Sequence, residues 1–414
     1  MRRRFVALLA LALPLGAQQA AAPAFDPARL ARIDTVLQRY VDDGKINGAV
    51  GLVLRDGKVV YEKAVGYADR DAGRAMSPAS IFRIASQTKA ITSTAVMILV
   101  EEGKINVTDP VSRWIPSFAK TMVATRSDTG RVIAPASRRI TVRDLLTHSA
   151  GVSYGTDAVV RDLYDAKGLG PAAGYGWYLA DKNEGVCESM DRLGTLPFVA
   201  QPGARFVYGY NTDILGCIVE RASGKPLDVF IRERITGPLG MKDTHFFLPA
   251  AERDRLVTVY MSDSTGKAVR APDGSKGQGH YVDGPRRDFA GGAGIVSTAR
   301  DYARFLEMIR NGGTLDGKRI LAPHTVRLMT SNQLGSTPYN EGLGFGFGFE
   351  TVERYGASGP YSVGSYGWGG AYGSTYKVDP AERMVVVLMI NLMPYGTDIK
   401  EVWPSVVFAA LTGK

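Results

Sequence analysis

The chain has 414 residues, 45% apolar side chains and a formal net charge of +9, a globular composition large enough for a sizeable core divided between two structural regions. Three of the positive charges, Arg2, Arg3 and Arg4, crowd the N-terminus, which leaves about +6 spread over the rest with no basic run longer than two, as at Arg138-Arg139; nucleic acid is therefore not an implied partner. The four histidines and two cysteines form no cluster with zinc-ligand spacing, and nothing in the composition calls for a metal or cofactor.

The opening M-R-R-R-F-V-A-L-L-A-L-A-L-P-L-G-A places basic residues, a short apolar run and small residues in the order of a secretory signal peptide, read here as residues 1–22. The run is too short, and too broken by Pro14, to span a bilayer, and no nearby cysteine offers a lipid anchor. The expectation is an exported protein without a stable membrane anchor, periplasmic in a Gram-negative source and secreted otherwise. From Ala28 to about Asp43, Leu30, Ile33, Val36, Leu37 and Tyr40 recur at helical spacing. G-A-V-G-L-V-L-R-D-G-K-V-V-Y-E-K-A-V-G then reads as two strands around Asp56-Gly57. The segment A-I-T-S-T-A-V-M-I-L-V-E-E-G, apolar on nearly every side and ending at Gly103, reads as a buried helix. The stretch from Trp114 to Pro285 is richer in helical segments, loops and glycine. It contains Cys187 and Cys217, for which two readings stay open: a bond closing a loop of about thirty residues, adding about 3 kcal/mol in an oxidising compartment, or two buried thiols. At the far end, S-T-Y-K-V-D-P-A-E-R-M-V-V-V-L-M-I-N reads as two strands around Asp379-Pro380, with a terminal helix from about Asp398. The fold class that follows is α+β, one antiparallel sheet built from both termini and flanked by helices plus a mostly helical region, with residues 25–113 and 286–414 forming one part, residues 114–285 the other, and the active site between them.

The G-V-S-Y-G at Gly151–Gly155 matches the G-x-S-x-G of a nucleophile elbow, which requires a strand entering and a helix leaving. Here I-T-V-R-D-L-L-T-H-S-A precedes it, a short helix capped by Thr141 with Asp144 three residues on, and Gly151 stands where a helix-terminating glycine belongs. Ser153 is therefore not expected to be the nucleophile. The alternative is S-x-x-K, in which a serine and a lysine share a helix face. It occurs three times, at Ser86/Lys89, Ser117/Lys120 and Ser264/Lys267. Ser264 lies in a turn-rich loop and Ser117 follows Pro116 with a short polar continuation, whereas Ser86 opens the apolar helix. A serine in a first helical turn lies near unpaired backbone N–H groups and the positive end of the helix dipole, and a lysine one turn further in is desolvated, the condition that frees its proton.

Two further segments carry chemistry. Tyr208, in Q-P-G-A-R-F-V-Y-G-Y-N-T-D-I-L-G-C, follows an extended stretch and precedes an apolar helix, from where its phenol can point into a cleft, although one of nineteen tyrosines is by default a packed ring. In Y-G-W-G-G-A-Y-G, Trp368-Gly369-Gly370-Ala371 reads as the start of a strand whose glycines admit a substrate to the backbone.

Together with E-E-G-K-I-N-V-T-D-P-V, L-L-T-H-S-A-G, D-I-L-G and G-G-A-G-I-V-S-T-A-R-D-Y, these segments resemble the serine β-lactamase and penicillin-binding superfamily over nearly the whole chain after the leader, and most closely the carboxylesterases of family VIII, which are similar to class C β-lactamases. The resemblance implies Ser86 as acylated nucleophile, Lys89 and Tyr208 as the proton-handling pair, and the backbone N–H groups of Ser86 and Ala371 as the oxyanion hole. It implies substrate contacts from Tyr210, Trp368, Gly369, Gly370 and Tyr154, the last as a wall of the cleft. Two departures bear on the substrate. The superfamily's Y-x-N has Tyr210 at its last position, with Asn211 one place late, and its K-T-G lysine is replaced by Trp368. Both changes favour a neutral ester over a β-lactam carboxylate. The expected function is hydrolysis of small carboxylic esters through a Ser86 acyl-enzyme. The rivals are a β-lactamase, a D-amino-acid peptidase or amidase, an acyltransferase, and a non-catalytic binding module.

Overall fold

The computed structural model describes residues 25–128, 130–170, 179, 181–274 and 277–412; the leader read at residues 1–22 lies outside them. Asp26 starts the first helix, Pro27–Asp42, by accepting the N–H groups of Ala28 and Arg29 at 2.8 and 3.2 Å, with Pro27 in the first turn where no N–H is needed. Its Ile33, Leu37 and Tyr40 are buried.

The sheet has eight antiparallel strands rather than the two at each end expected from sequence, in the spatial order Leu343–Phe345, Glu350–Val352, Tyr366–Gly369, Thr375–Asp379, Met384–Met389, Gly48–Arg55, Lys58–Asp69 and Arg74–Ala75. The two termini meet at its centre, where Val50 pairs with Met389 and Leu54 with Val385. Gly48–Arg55 is buried along its whole length because both faces are covered. Ala49 and Val53 point with Val386 and Leu388 into a cluster under the first helix and the terminal helix Ile399–Ala409, while Val50, Leu52 and Leu54 point with Val385 and Val387 into the main core. Gly51 is required for this packing, since a Cβ there would stand 2.4 Å from the Trp403 ring. The hairpin at Asp56-Gly57 forms with both residues at positive φ, +49° and +73°.

The helix Thr88–Glu101 is buried at every position from Thr88 to Leu99 and packs on the helix Asn211–Ser223, itself buried from Asn211 to Val219. One contiguous apolar cluster runs from the sheet through both helices. The segment 114–285 holds the helices Val142–Leu146, Arg161–Ala166, Val186–Leu193, Asn211–Ser223 and Leu227–Ile231, and also two small hairpins, Met122–Ser127 with Gly130–Pro135 and Tyr260–Ser262 with Ala268–Arg270. Cys187 and Cys217 form a disulfide between Val186–Leu193 and Asn211–Ser223, which resolves the choice left open by their spacing. No helix among the described residues is long and apolar enough to cross a membrane.

Candidate active site

Ser86 sits where a short strand, Phe82–Arg83, turns into the buried helix. The turn is sharp: Ala85 has φ +45°, a left-handed value that an alanine adopts at a cost, and a 3₁₀ turn over Ala85–Gln87 leads into Thr88. The result turns the Ser86 side chain out of the core, half-exposed, while Gln87, Thr88 and Lys89, which follow it, are buried. Lys89 is 2% exposed. Its Nζ donates to Ser86 Oγ at 3.2 Å, to the Tyr154 hydroxyl at 3.0 Å and to the Gly292 carbonyl at 2.7 Å, so three oxygens converge on the amine.

Tyr208 presents its ring face to the same amine, 4.6 Å from Nζ to centroid. Its phenolic oxygen accepts from Trp368 Nε1 at 3.2 Å. Behind Tyr208, the ring of His148 packs at 4.9 Å, and Phe206 and Phe345 pack on His148 in turn at 5.4 Å each. Burial and the Lys89 charge push the His148 imidazole well below its ordinary pKa, so it serves as a neutral aromatic support. Phe206, Tyr339, Phe345 and Trp368 continue the aromatic wall outward, with centroids 4.8 to 5.3 Å apart along the chain of contacts Tyr339–Phe206–Phe345–Trp368.

Trp368-Gly369 ends the strand Tyr366–Gly369 rather than beginning one, and Gly370–Gly373 turn the chain back toward Thr375–Asp379. The turn lies against the nucleophile: a Cβ on Gly370 would stand 2.6 Å from the Ile84 carbonyl oxygen, and Ala371 packs on the cluster that contains Ala85. Gly369 is half-exposed at the strand's end.

Other expected positions fall elsewhere. Tyr210 is fully buried, its hydroxyl donating to the Leu169 carbonyl at 2.9 Å and its ring meeting Tyr154 at 4.9 Å, so it supports the site from behind and does not line the cleft. Tyr154, expected as a wall, is 8% exposed and belongs to the lysine's hydrogen-bond set. Asn211 is fully buried and ties loops together, donating to Val207 O at 3.1 Å with its Nδ2 3.0 Å from His148 Nδ1.

Ser153 is 1% exposed and accepts the Gly155 N–H at 3.0 Å, in a segment without regular structure. The helix before it has the expected capping box of Thr141 and Asp144, but it ends at Leu146, and His148 at φ +55°, not Gly151, takes the left-handed position after it. Of the other two S-x-x-K matches, Ser117 and Lys120 lie in a 3₁₀ turn, and Lys267 Nζ donates to the Asp43 carbonyl at 2.6 Å.

Sequence reasoning missed the parts of the site that carry no motif: the Gly292 carbonyl, the Asp213 carboxylate that accepts the Gly292 N–H at 2.9 Å, and the role of His148. The G-G-A-G segment containing Gly292 was visible as a motif, but nothing in it says that a backbone oxygen faces the lysine.

A serine and a buried lysine one turn apart, where a short strand turns into a buried helix, are the arrangement of a serine hydrolase. Comparison with known proteins agrees. The Beta-lactamase family model matches residues 33–411, and the chain belongs to that family. It is 36% identical over 378 residues to Protein Rv1367c of Mycobacterium tuberculosis, covering 86% of this chain and 89% of that one. It is 33% identical over 384 residues to Esterase EstB of Burkholderia gladioli, covering 88% and 91%. Among solved structures, EstCE1, a hydrolase with promiscuous acyltransferase activity, superposes with a TM-score of 0.76 at 29% identity over 93% of this chain and 99% of that one.

Proposed function

We propose that the protein hydrolyses carboxylic esters of small, neutral substrates through an acyl-enzyme on Ser86. The observation that carries this reading is the contact of Lys89 Nζ with Ser86 Oγ, made by an amine buried to 2% exposure beneath the Tyr208 ring. Ser86 Oγ attacks the ester carbonyl carbon and passes its proton to the Lys89 and Tyr208 pair. The N–H groups of Ser86 and Ala371 hold the oxyanion. Collapse of the tetrahedral species breaks the carbon–oxygen bond to the alcohol, which leaves with a proton delivered through Tyr208. Water, deprotonated by the same pair, then releases the acid and restores Ser86.

Two features support an ester over a β-lactam. Position 368 carries an indole occupied with Tyr208, where a lysine would meet a substrate carboxylate, and Asn211 is consumed in holding His148 and Val207. The part-exposed rings of Phe206, Tyr339 and Trp368, backed by the buried Phe345, suit an apolar acyl or alcohol group. EstB carries the name of an esterase, in line with this reading. Export is proposed with it, and the Cys187–Cys217 bond supports an oxidising compartment.

Ser86→Ala is expected to abolish turnover of 4-nitrophenyl butyrate, and intact-mass measurement should show an acyl adduct on the wild-type chain; unchanged activity in the variant overturns the assignment. Nitrocefin is expected to be turned over far more slowly than the butyrate ester. A second reading is favoured by one distance: the Tyr154 hydroxyl lies 3.0 Å from Lys89 Nζ, so Tyr154 in place of Tyr208 would be the lysine's phenolic partner. Tyr208→Phe and Tyr154→Phe separate the two, since the true partner's loss lowers kcat by about 10² or more.

A further inference from the structure

The glycine-rich segment Ala290–Ile295 is fastened to the nucleophile helix at three successive points. The Ile295 N–H donates to Thr88 Oγ1 at 3.1 Å, the Gly292 carbonyl accepts from Lys89 Nζ at 2.7 Å, and the Gly291 carbonyl accepts from Thr92 Oγ1 at 2.8 Å. From the opposite side the helix Asn211–Ser223 clamps the same segment, with Asp213 Oδ1 accepting the Gly292 N–H at 2.9 Å. Both contacts depend on glycine: a Cβ on Gly292 would stand 2.5 Å from Asp213 Oδ2, and one on Gly291 2.7 Å from the Thr212 carbonyl. One residue, Gly292, thus receives a carboxylate on its N–H and offers its carbonyl to the lysine that touches the nucleophile.

We propose that Asp213 is a positioning residue of the acyl-transfer reaction: its carboxylate holds Gly292, and through the Gly292 carbonyl it aims the Lys89 amine at Ser86 Oγ. The inference rests on the Ser86 and Lys89 roles proposed above. Asp213 is 3% exposed in the first turn of its helix, after Asn211 and Thr212 and ahead of the apolar Ile214 and Leu215. A charged group is retained there against its desolvation, which a packing role alone does not require. The charged and titratable groups around it are Lys89 on the nucleophile helix and Asp288 on the chain leading into the glycine segment, with Glu184 beyond Asp288; Tyr154, Tyr208 and His148 face Lys89. Burial pushes the Asp213 carboxyl up to about 6, with Lys89 and the Gly292 N–H opposing, so the group is ionised at neutral pH and loses its charge on mild acidification.

The test is the rate at which a fluorophosphonate labels Ser86, followed by intact mass from pH 5 to 9, alongside kcat and KM for 4-nitrophenyl butyrate. Asp213→Ala removes both acceptor and charge and is expected to slow labelling by about 10²-fold, with the loss in kcat rather than KM. Asp213→Asn keeps an oxygen for the Gly292 N–H and loses only the charge; it is expected to slow labelling by about 10-fold and to lack the limb near pH 6 that the wild type shows. An Asp213→Asn enzyme with the wild-type rate and pH profile overturns the proposal. If the alanine variant does not fold, the asparagine variant and the wild-type profile still decide, because a wild type with no limb near pH 6 also overturns it. Failure of the wild type to label at Ser86 counts against the acyl-enzyme reading instead.

Discussion

Trp368 Nε1 donates to the phenolic oxygen of Tyr208 across a 3.2 Å gap, joining the end of a sheet strand to the loop before the helix Asn211–Ser223. A donor aimed at that oxygen favours every state in which the oxygen carries negative charge, which is what a phenol relaying the Ser86 proton requires. Trp368→Phe keeps a ring against Phe345, 5.3 Å away in the native contact, but removes the donor. The expected result is a kcat about 10-fold lower for a short-chain nitrophenyl ester with a smaller change in KM. Steady-state kinetics on the purified variant check this, and an unchanged kcat would remove Trp368 from the reaction.

Ser153 lies inside the pattern that advertises a nucleophile, yet its oxygen is spent on the Gly155 N–H in a loop that delivers Tyr154 to Lys89. Ser153→Ala leaves a buried donor unpaired, expected to lower stability by about 1–2 kcal/mol while kcat stays within about threefold of wild type. Urea midpoints and ester turnover on one preparation separate the two effects. A loss of activity matching that of Ser86→Ala would restore Ser153 as a candidate nucleophile.

The elements legible in sequence are those whose ends carry local chemistry. Asp56-Gly57 and the Thr141–Asp144 box each satisfy their own backbone groups within a few residues, so their positions can be read without knowing the fold. The strand–turn–helix setting demanded of Ser153 exists, but at Ser86, where Phe82–Arg83 is only two residues long and the strained position is Ala85 rather than a glycine. Neither leaves a mark in the letters. Short edge strands such as Leu343–Phe345 are held by their neighbours and have no pattern of their own.

Within the site, Ser86 and Lys89 stand out in the sequence because their S-x-x-K opens an apolar segment; in the structure Ser86 stays in the 3₁₀ turn and Lys89 reaches it from the helix that follows. Tyr210 holds the last position of the superfamily's Y-x-N, from which the resemblance implies a substrate contact, whereas its hydroxyl is used on Leu169 O, which no local rule foretells. Asp213 reads in sequence as one polar residue of a helix, and only the approach of Gly292 gives it work.

The Cys187–Cys217 bond ties Val186–Leu193 to the helix that carries Asp213. Closing a loop of 30 residues restrains the unfolded chain by about 3–4 kcal/mol in the chain-entropy model. Replacing both cysteines by serine is expected to lower Tm by about 4 °C for a chain of this size. Scanning calorimetry with and without reductant tests it. Wild type in reductant should behave as the double variant does, and a Tm indifferent to both changes would show that packing alone holds the two helices.

Asp213 and His148 both face Lys89, and they couple stability to pH in opposite directions. The His148 imidazole is held well below its ordinary value by burial and by Lys89, so its contribution is present above about pH 6.5 and is lost as pH falls below it. Asp213 is raised from 3.8 to about 6 by burial. The folded state therefore binds its proton more tightly than the unfolded chain does, and stability is lost as pH rises from about 4 through about 6. In Asp213→Asn that loss is absent, while the His148 contribution is common to both proteins and cancels in their difference. Asp288, pushed up by its own burial and in part by Asp213, shifts the same way once the neighbouring charge is gone. The stability of Asp213→Asn relative to wild type is thus expected to grow by about 1–3 kcal/mol between pH 4 and pH 8, most of it before pH 7. Urea unfolding of both proteins at pH 4.5, 6 and 8 measures the difference. A variant that becomes relatively more stable at pH 8 yet slower in turnover shows a buried charge kept at a cost to the fold for what it does to Lys89; a difference flat in pH would mean that Asp213 is already ionised throughout and that burial does not tax it.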